Sequence, residues 1–124
     1  MDFDEEKIRA AGVDLIVFFG SRARGQAGEA SDWDLGVLFA PNTADPHEKL
    51  ETVRDAVTDH QMLDFVVLNE ADPLLLREVA VDGMPKFQGY DGAFEEFRLR
   101  AIKRYMDTQW LRDLEAEALR SHYG

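Results

Sequence analysis

A β-sheet layered with helices, in an α/β or α+β domain, is what this sequence predicts, and three observations predict it. Short apolar runs of strand length begin near residues 13, 34 and 62. Two helical patterns, each opened by an acid and a proline, alternate with those runs. A long stretch of apolar residues spaced by three and four closes the chain. The 124 residues, 45% of them hydrophobic, suit one compact domain with a single core. We expect it to occupy residues 1–124, with a core over about 10–90 and a C-terminal helical segment over about 91–120.

Taken in order, residues 13–19 (Val-Asp-Leu-Ile-Val-Phe-Phe) form an apolar run bounded by glycines, the pattern of a strand buried on both faces, and Gly20 closes it. A polar loop holding Gly25, Gly28 and Ser31 leads to a second strand from Asp34 to Phe39, which ends at the turn-prone Pro41-Asn42. Pro46 to Thr58 reads as a helix, with Asp45 placed to cap it and Leu50, Val53 and Val57 on one face. Met62 to Leu68 is again strand-like. Asp72-Pro73 reads as a cap followed by a first-turn proline, opening a helix through Leu74, Leu75, Glu78 and Val79 that ends near Gly83. From about Asp91 to Leu119 nothing breaks a helix, and Phe94, Phe97, Ala101, Ile102, Tyr105, Trp110, Leu111 and Leu114 recur at helical spacing. At 1.5 Å per residue such a helix would span roughly 40 Å, longer than the body of so small a domain. Part of its apolar stripe is therefore expected to lack a partner within the chain.

Composition narrows the function. With 25 acidic against 14 basic residues the formal charge is −11, which argues against a broad phosphate-backbone footprint on nucleic acid. The absence of cysteine excludes disulfides, thiolate nucleophiles and cysteine-ligated zinc. The acidic start is not the basic n-region of a signal peptide, and no apolar run reaches the roughly 18 residues that cross a bilayer. The expectation is a cytoplasmic protein.

The chemistry concentrates in Gly20-Ser21-Arg22-Ala23-Arg24-Gly25, followed after six residues by Asp32-Trp33-Asp34-Leu35. Strand geometry points side chains i and i+2 to one face about 6 to 7 Å apart, so Asp32 and Asp34 would aim together and Trp33 away. Mg²⁺ prefers oxygen ligands and binds enzymes through one or two carboxylates plus substrate phosphates, so the pair suits one ion or a bridge between two. After a buried strand, Gly20 lets the backbone approach phosphate, while exposed N–H groups and the Ser21 hydroxyl donate to it and Arg24 adds a charge-assisted contact. Asp64 interrupts the apolar run Met62-Leu-Asp-Phe-Val-Val-Leu68, and charged residues are seldom buried without a partner, so a metal would account for it. Each feature also has a plainer account. Asp-x-Asp alone describes a turn, Asp64 alone an acid on an edge strand, and Arg24 alone a surface arginine near Glu29. His47, His60 and His122 lack metal-ligand spacing and read as surface residues, Phe94 and Phe97 as core, and Arg98, Arg100, Lys103 and Arg104 as a solvated basic face.

Together, Gly-Ser-x-Ala-Arg-Gly at 20–25, Ser31-Asp32-x-Asp34-Leu35 and Leu63-Asp64-Phe-Val-Val-Leu68-Asn69 resemble the minimal nucleotidyltransferases of the polymerase-β-like superfamily. Within it they are most similar to the MNT-type antitoxins encoded beside HEPN-domain toxins. The likeness covers residues 10 to about 90, and the C-terminal helical segment matches no motif. It implies the nucleotidyltransferase fold, a mixed sheet flanked by helices, with a long C-terminal helix. Asp32, Asp34 and Asp64 would be metal ligands, with Gly20, Ser21 and Arg24 at the triphosphate. Antitoxins of this kind transfer AMP from ATP to a tyrosine of the HEPN toxin and silence its RNase, which implies Mg²⁺, ATP and a HEPN partner here. In that scheme Asp32 and Asp34 bind the ion bridging the phosphates, and Asp64 helps hold a second ion beside the attacking hydroxyl. Two other readings stay open: an antitoxin that neutralises by covering its partner, and a small-molecule nucleotidyltransferase of the aminoglycoside-modifying kind.

Overall fold

In the computed structural model, residues 2–20, 33–57 and 63–123 are described. Their elements run α1 (Glu5–Ala10), β1 (Val13–Phe19), β2 (Trp33–Phe39), α2 (Pro46–Asp55), β3 (Leu63–Val67), a single 3₁₀ turn (Leu68–Glu70), α3 (Pro73–Asp82), β4 (Met84–Gln88), α4 (Ala93–Asp107) and α5 (Gln109–Tyr123). The strands form one mixed sheet in the order β3-β2-β1-β4, with β1 antiparallel to both its neighbours and β2 parallel to β3. A parallel pair requires a crossover, and α2 lies within it.

Helices cover both faces of this sheet, so its central strand is apolar on both sides. Val13, Ile16 and Phe18 of β1 join Leu35, Val37 and Phe39 of β2 in a core closed by Ile8 of α1 and Leu50 and Val53 of α2. Leu15, Val17 and Phe19 point the other way, into a second core with Val79 of α3 and Phe94, Phe97 and Ala101 of α4. The continuous run at 13–19 predicted this two-sided burial. On the second face, Gly36 leaves room for Leu68: a Cβ there would lie 2.8 Å from Leu68 Cδ2.

The local signals at α3 operate as expected. Asp72 accepts a hydrogen bond from the Leu75 N–H at 2.9 Å, Pro73 opens the helix, and the helix ends at Gly83. At α2 the expected cap fails: Asp45 takes a left-handed conformation (φ 49°) and makes no capping hydrogen bond, leaving Pro46 as the start signal. That helix stops at Asp55 rather than Thr58, although Val57 is buried and bridges to Phe3.

Two elements had no sequence counterpart, α1 and β4. Strand β4 reads Met-Pro-Lys-Phe-Gln, with a proline and a lysine that suit a sheet edge and spoil a strand pattern. The C-terminal segment is helical as expected, but it divides at Thr108 into α4 and α5. The Thr108 hydroxyl donates to the main-chain carbonyls of Arg104 (2.9 Å) and Tyr105 (3.1 Å), competing with the helical ladder. Arg112 then reaches back from α5, donating to the Tyr105 carbonyl and to Thr108 Oγ1 while its guanidinium stacks 3.7 Å over the Tyr105 ring.

Candidate active site

Chain direction decides where the acids meet. Strand β1 runs into Gly20 while β2 starts beside it, so Phe19 pairs with Asp34 at one end of the sheet. Because β3 runs parallel to β2, its start lies at that same end, and Asp34 pairs in register with Asp64. Residues in register on neighbouring strands share a face, and the strands lie about 4.8 Å apart. Both carboxylates therefore project side by side on the face that carries Gly36 and Val66. Asp34 is half-buried, whereas Asp64 is exposed on the edge strand β3, so the expectation that Asp64 is a buried charge fails and its place beside the site rests on its register with Asp34.

Gly20 completes the arrangement. Its φ of +95° lies in the left-handed region, and a Cβ at this position would collide with Asp34 Oδ2. The residue after β1 is thus a glycine for two independent reasons, the turn and the carboxylate packed against it. Backbone can approach a ligand here where any side chain would stand in the way.

Like charges directly opposite on adjacent strands destabilise a sheet, and Asp64 has no ion pair among the described residues. Two hard oxygen donors at this spacing, on rigid strands and beside a glycine cradle, fit a divalent cation of the Mg²⁺ type. Among the described residues no three His, Asp or Glu side chains converge, and the third expected ligand, Asp32, lies outside them. So do Ser21 and Arg24. Of the expected site residues, then, Gly20, Asp34 and Asp64 are brought together.

The remaining described candidates behave as their plainer accounts suggested, while His60 and the His122 side chain lie outside the described residues. His47 is exposed and pairs with Glu70 at 2.7 Å, while Phe94 and Phe97 are core. The basic face of α4 is exposed, with Arg100 held by Glu96, Lys103 by Asp107 at 3.0 Å, and Arg98 over the Phe94 ring. Past Ala101 the apolar stripe leaves the core: Met106 (67% exposed), Trp110 (65%) and Leu114 (56%) face outward along α4 and α5. No described helix is long and apolar enough to cross a membrane.

The family described as Polymerase beta, Nucleotidyltransferase matches residues 5–85, which contain both acids and Gly20. The protein adenylyltransferase MntA of Aphanizomenon flos-aquae is 26% identical over 98 residues, or 71% of this chain, and the chain spans 65% of that relative's length. Among solved structures, a toxin–antitoxin with AMP-PNP matches at 25% identity and a TM-score of 0.71, over 94% of this chain and 98% of the other. The complex of MNT antitoxin with a tri-AMPylated HEPN toxin of Shewanella oneidensis matches at 23% identity and a TM-score of 0.68, over 93% and 91%. This last likeness concerns the fold.

Proposed function

The chain belongs to the polymerase-β-like nucleotidyltransferases, and from that premise we propose that it transfers AMP from ATP to a hydroxyl of a partner HEPN-domain toxin, acting as the antitoxin. The observation that carries this reading is the in-register pair Asp34 and Asp64 beside a glycine that no other residue can replace without displacing a carboxylate. The protein adenylyltransferase MntA and the AMP-PNP of the solved toxin–antitoxin support the choice of adenylate and of a protein acceptor.

Nucleotidyl transfer depends on positioning and on neutralising phosphate charge. When bound, Mg²⁺ would supply that neutralisation and lower the pKa of the attacking hydroxyl. Asp34 and Asp32 would hold one ion on the triphosphate side and Asp64 would help hold a second beside the acceptor, where its carboxylate would also take the hydroxyl proton. The Gly20 backbone, Ser21 and Arg24 would orient the triphosphate. The acceptor oxygen then bonds to the α-phosphorus as the bond to the bridging oxygen breaks, and pyrophosphate leaves.

The acceptor is a protein in this reading because the outward stripe of α4 and α5 offers a partner an apolar surface, and large exposed apolar patches mark interaction sites. The test is transfer of label from α-labelled ATP to the co-purified HEPN partner. Wild type should label it, and Asp34→Asn should not, while both still bind it. Undiminished labelling by Asp34→Asn would overturn the assignment. Full neutralisation of the toxin by an Asp34→Asn chain that labels nothing would favour an antitoxin that works by covering.

A further inference from the structure

At the opposite end of the sheet lies a cleft of about 510 Å³ that the transfer reaction does not use. It opens where β1 begins and β2 ends, five residues along β2 from Asp34, a separation of about 17 Å. Its volume falls within the range of small-molecule pockets, which join an apolar lining to a few fixed polar groups. The floor is apolar, from Leu38 and Leu68 on the sheet side and Leu76, Phe97 and Ala101 on α3 and α4.

The rim is held in place by its own hydrogen bonds. Asn69 binds the main chain of Phe39 twice, accepting from its N–H and donating to its carbonyl, both at 2.9 Å. Tyr90 donates to Glu96 at 2.8 Å, and Glu96 in turn holds Arg100. These bonds satisfy Asn69 and neutralise one acid with one arginine. Two charges remain on the rim, Arg104 and Asp14, and neither side chain has a partner among the described residues.

That balance selects a chemistry. A free guanidinium above an apolar floor matches one carboxylate, which it can hold in a fork of two parallel hydrogen bonds. Asp14 on the same rim opposes a second negative charge, so a polyphosphate is disfavoured and a monoanion favoured. We propose that this cleft binds a small amphipathic monocarboxylate, its apolar body on Leu68 and Phe97 and its acid on Arg104, at a site separate from the nucleotide.

The test uses the full chain, labelled with ¹⁵N, and three probes: 4-phenylbutyrate, the neutral 4-phenylbutan-1-ol, and phenyl phosphate, largely a dianion at neutral pH. The carboxylate should shift the amides of Phe39, Asn69 and Ala101 and leave those of α5 unmoved. Arg104→Gln should weaken the carboxylate by roughly tenfold or more, the loss expected for a charge-assisted bond, and leave the alcohol within about twofold. Asp14→Asn should strengthen phenyl phosphate relative to the carboxylate. Because Arg104 is exposed on a helix and glutamine is a good helix former, the variant is expected to fold. Absence of shifts at the cleft up to about 10 mM probe, a Kd too weak to matter, would overturn the proposal. So would equal losses for acid and alcohol in Arg104→Gln, which would mean lost shape and not lost charge.

Discussion

The two ends of the sheet are built on opposite terms. At one end Asp34 and Asp64 stand in register with like charge, beside a glycine at φ +95°. At the other, Asn69 satisfies the main chain of Phe39 in both directions and Glu96 gathers Tyr90 and Arg100. The first breaks local rules of sheet stability; the second obeys them. Violations concentrate where function demands them, and the surrounding structure compensates. Two packed cores, one on each face, supply that compensation by holding the four strands in one sheet.

The comparison can be broken most sharply at the acid end. Asp64→Asn should lower adenylate transfer on the order of a thousandfold, the several kcal/mol expected from losing a ligand to charge-stabilising metal. Its unfolding free energy should change by no more than about 0.5 kcal/mol, since an exposed acid facing another acid contributes little to the fold. Chemical denaturation of the same preparation would show this, and a large loss of stability would mean that Asp64 holds the sheet and not a cation.

Gly20→Ala joins the two quantities. The left-handed backbone and the collision with Asp34 should together cost about 1–3 kcal/mol of stability and also displace the carboxylate, so transfer falls with it. A stable Gly20→Ala chain with full transfer would remove the cradle from the argument. At the far end the reverse pattern is expected: Asn69→Ala should cost about 1–3 kcal/mol by leaving the Phe39 N–H and carbonyl without their partner. Residual transfer measured well below its melting temperature should match wild type.

The smallest effect on the isolated chain belongs to α5. Trp110→Ser should leave thermal stability within about 0.5 kcal/mol, because the side chain is 65% exposed, while weakening partner capture in a pull-down or titration. Phe97, one helix earlier on the same stripe, is buried and would behave as core instead.

Much of this was legible in the residues themselves. The run Val-Asp-Leu-Ile-Val-Phe-Phe announced a strand covered on both sides, Asp72-Pro73 announced a helix start, and Asp64 stood out because a charge interrupted an apolar strand. These signals are local: periodicity, capping and turn chemistry act within a few residues. Strand β4 was not legible, since Met84-Pro85-Lys86-Phe87-Gln88 owes its strand state to pairing with β1 and not to its own pattern. Nor was the division at Thr108, a residue ordinary in sequence until its hydroxyl turns onto the Arg104 and Tyr105 carbonyls and Arg112 folds back.

What the sequence determined by itself is the set of elements with strong periodicity and the residue types at the acid end, because burial and turn preferences are written into neighbouring side chains. Only the tertiary structure decided that Asp34 and Asp64 share a register, that the stripe of the last two helices is core up to Ala101 and surface beyond it, and that Asp14 and Arg104 face one cleft. Those facts join residues 30 to 90 positions apart, and no local preference specifies which distant partner a strand or helix face will meet.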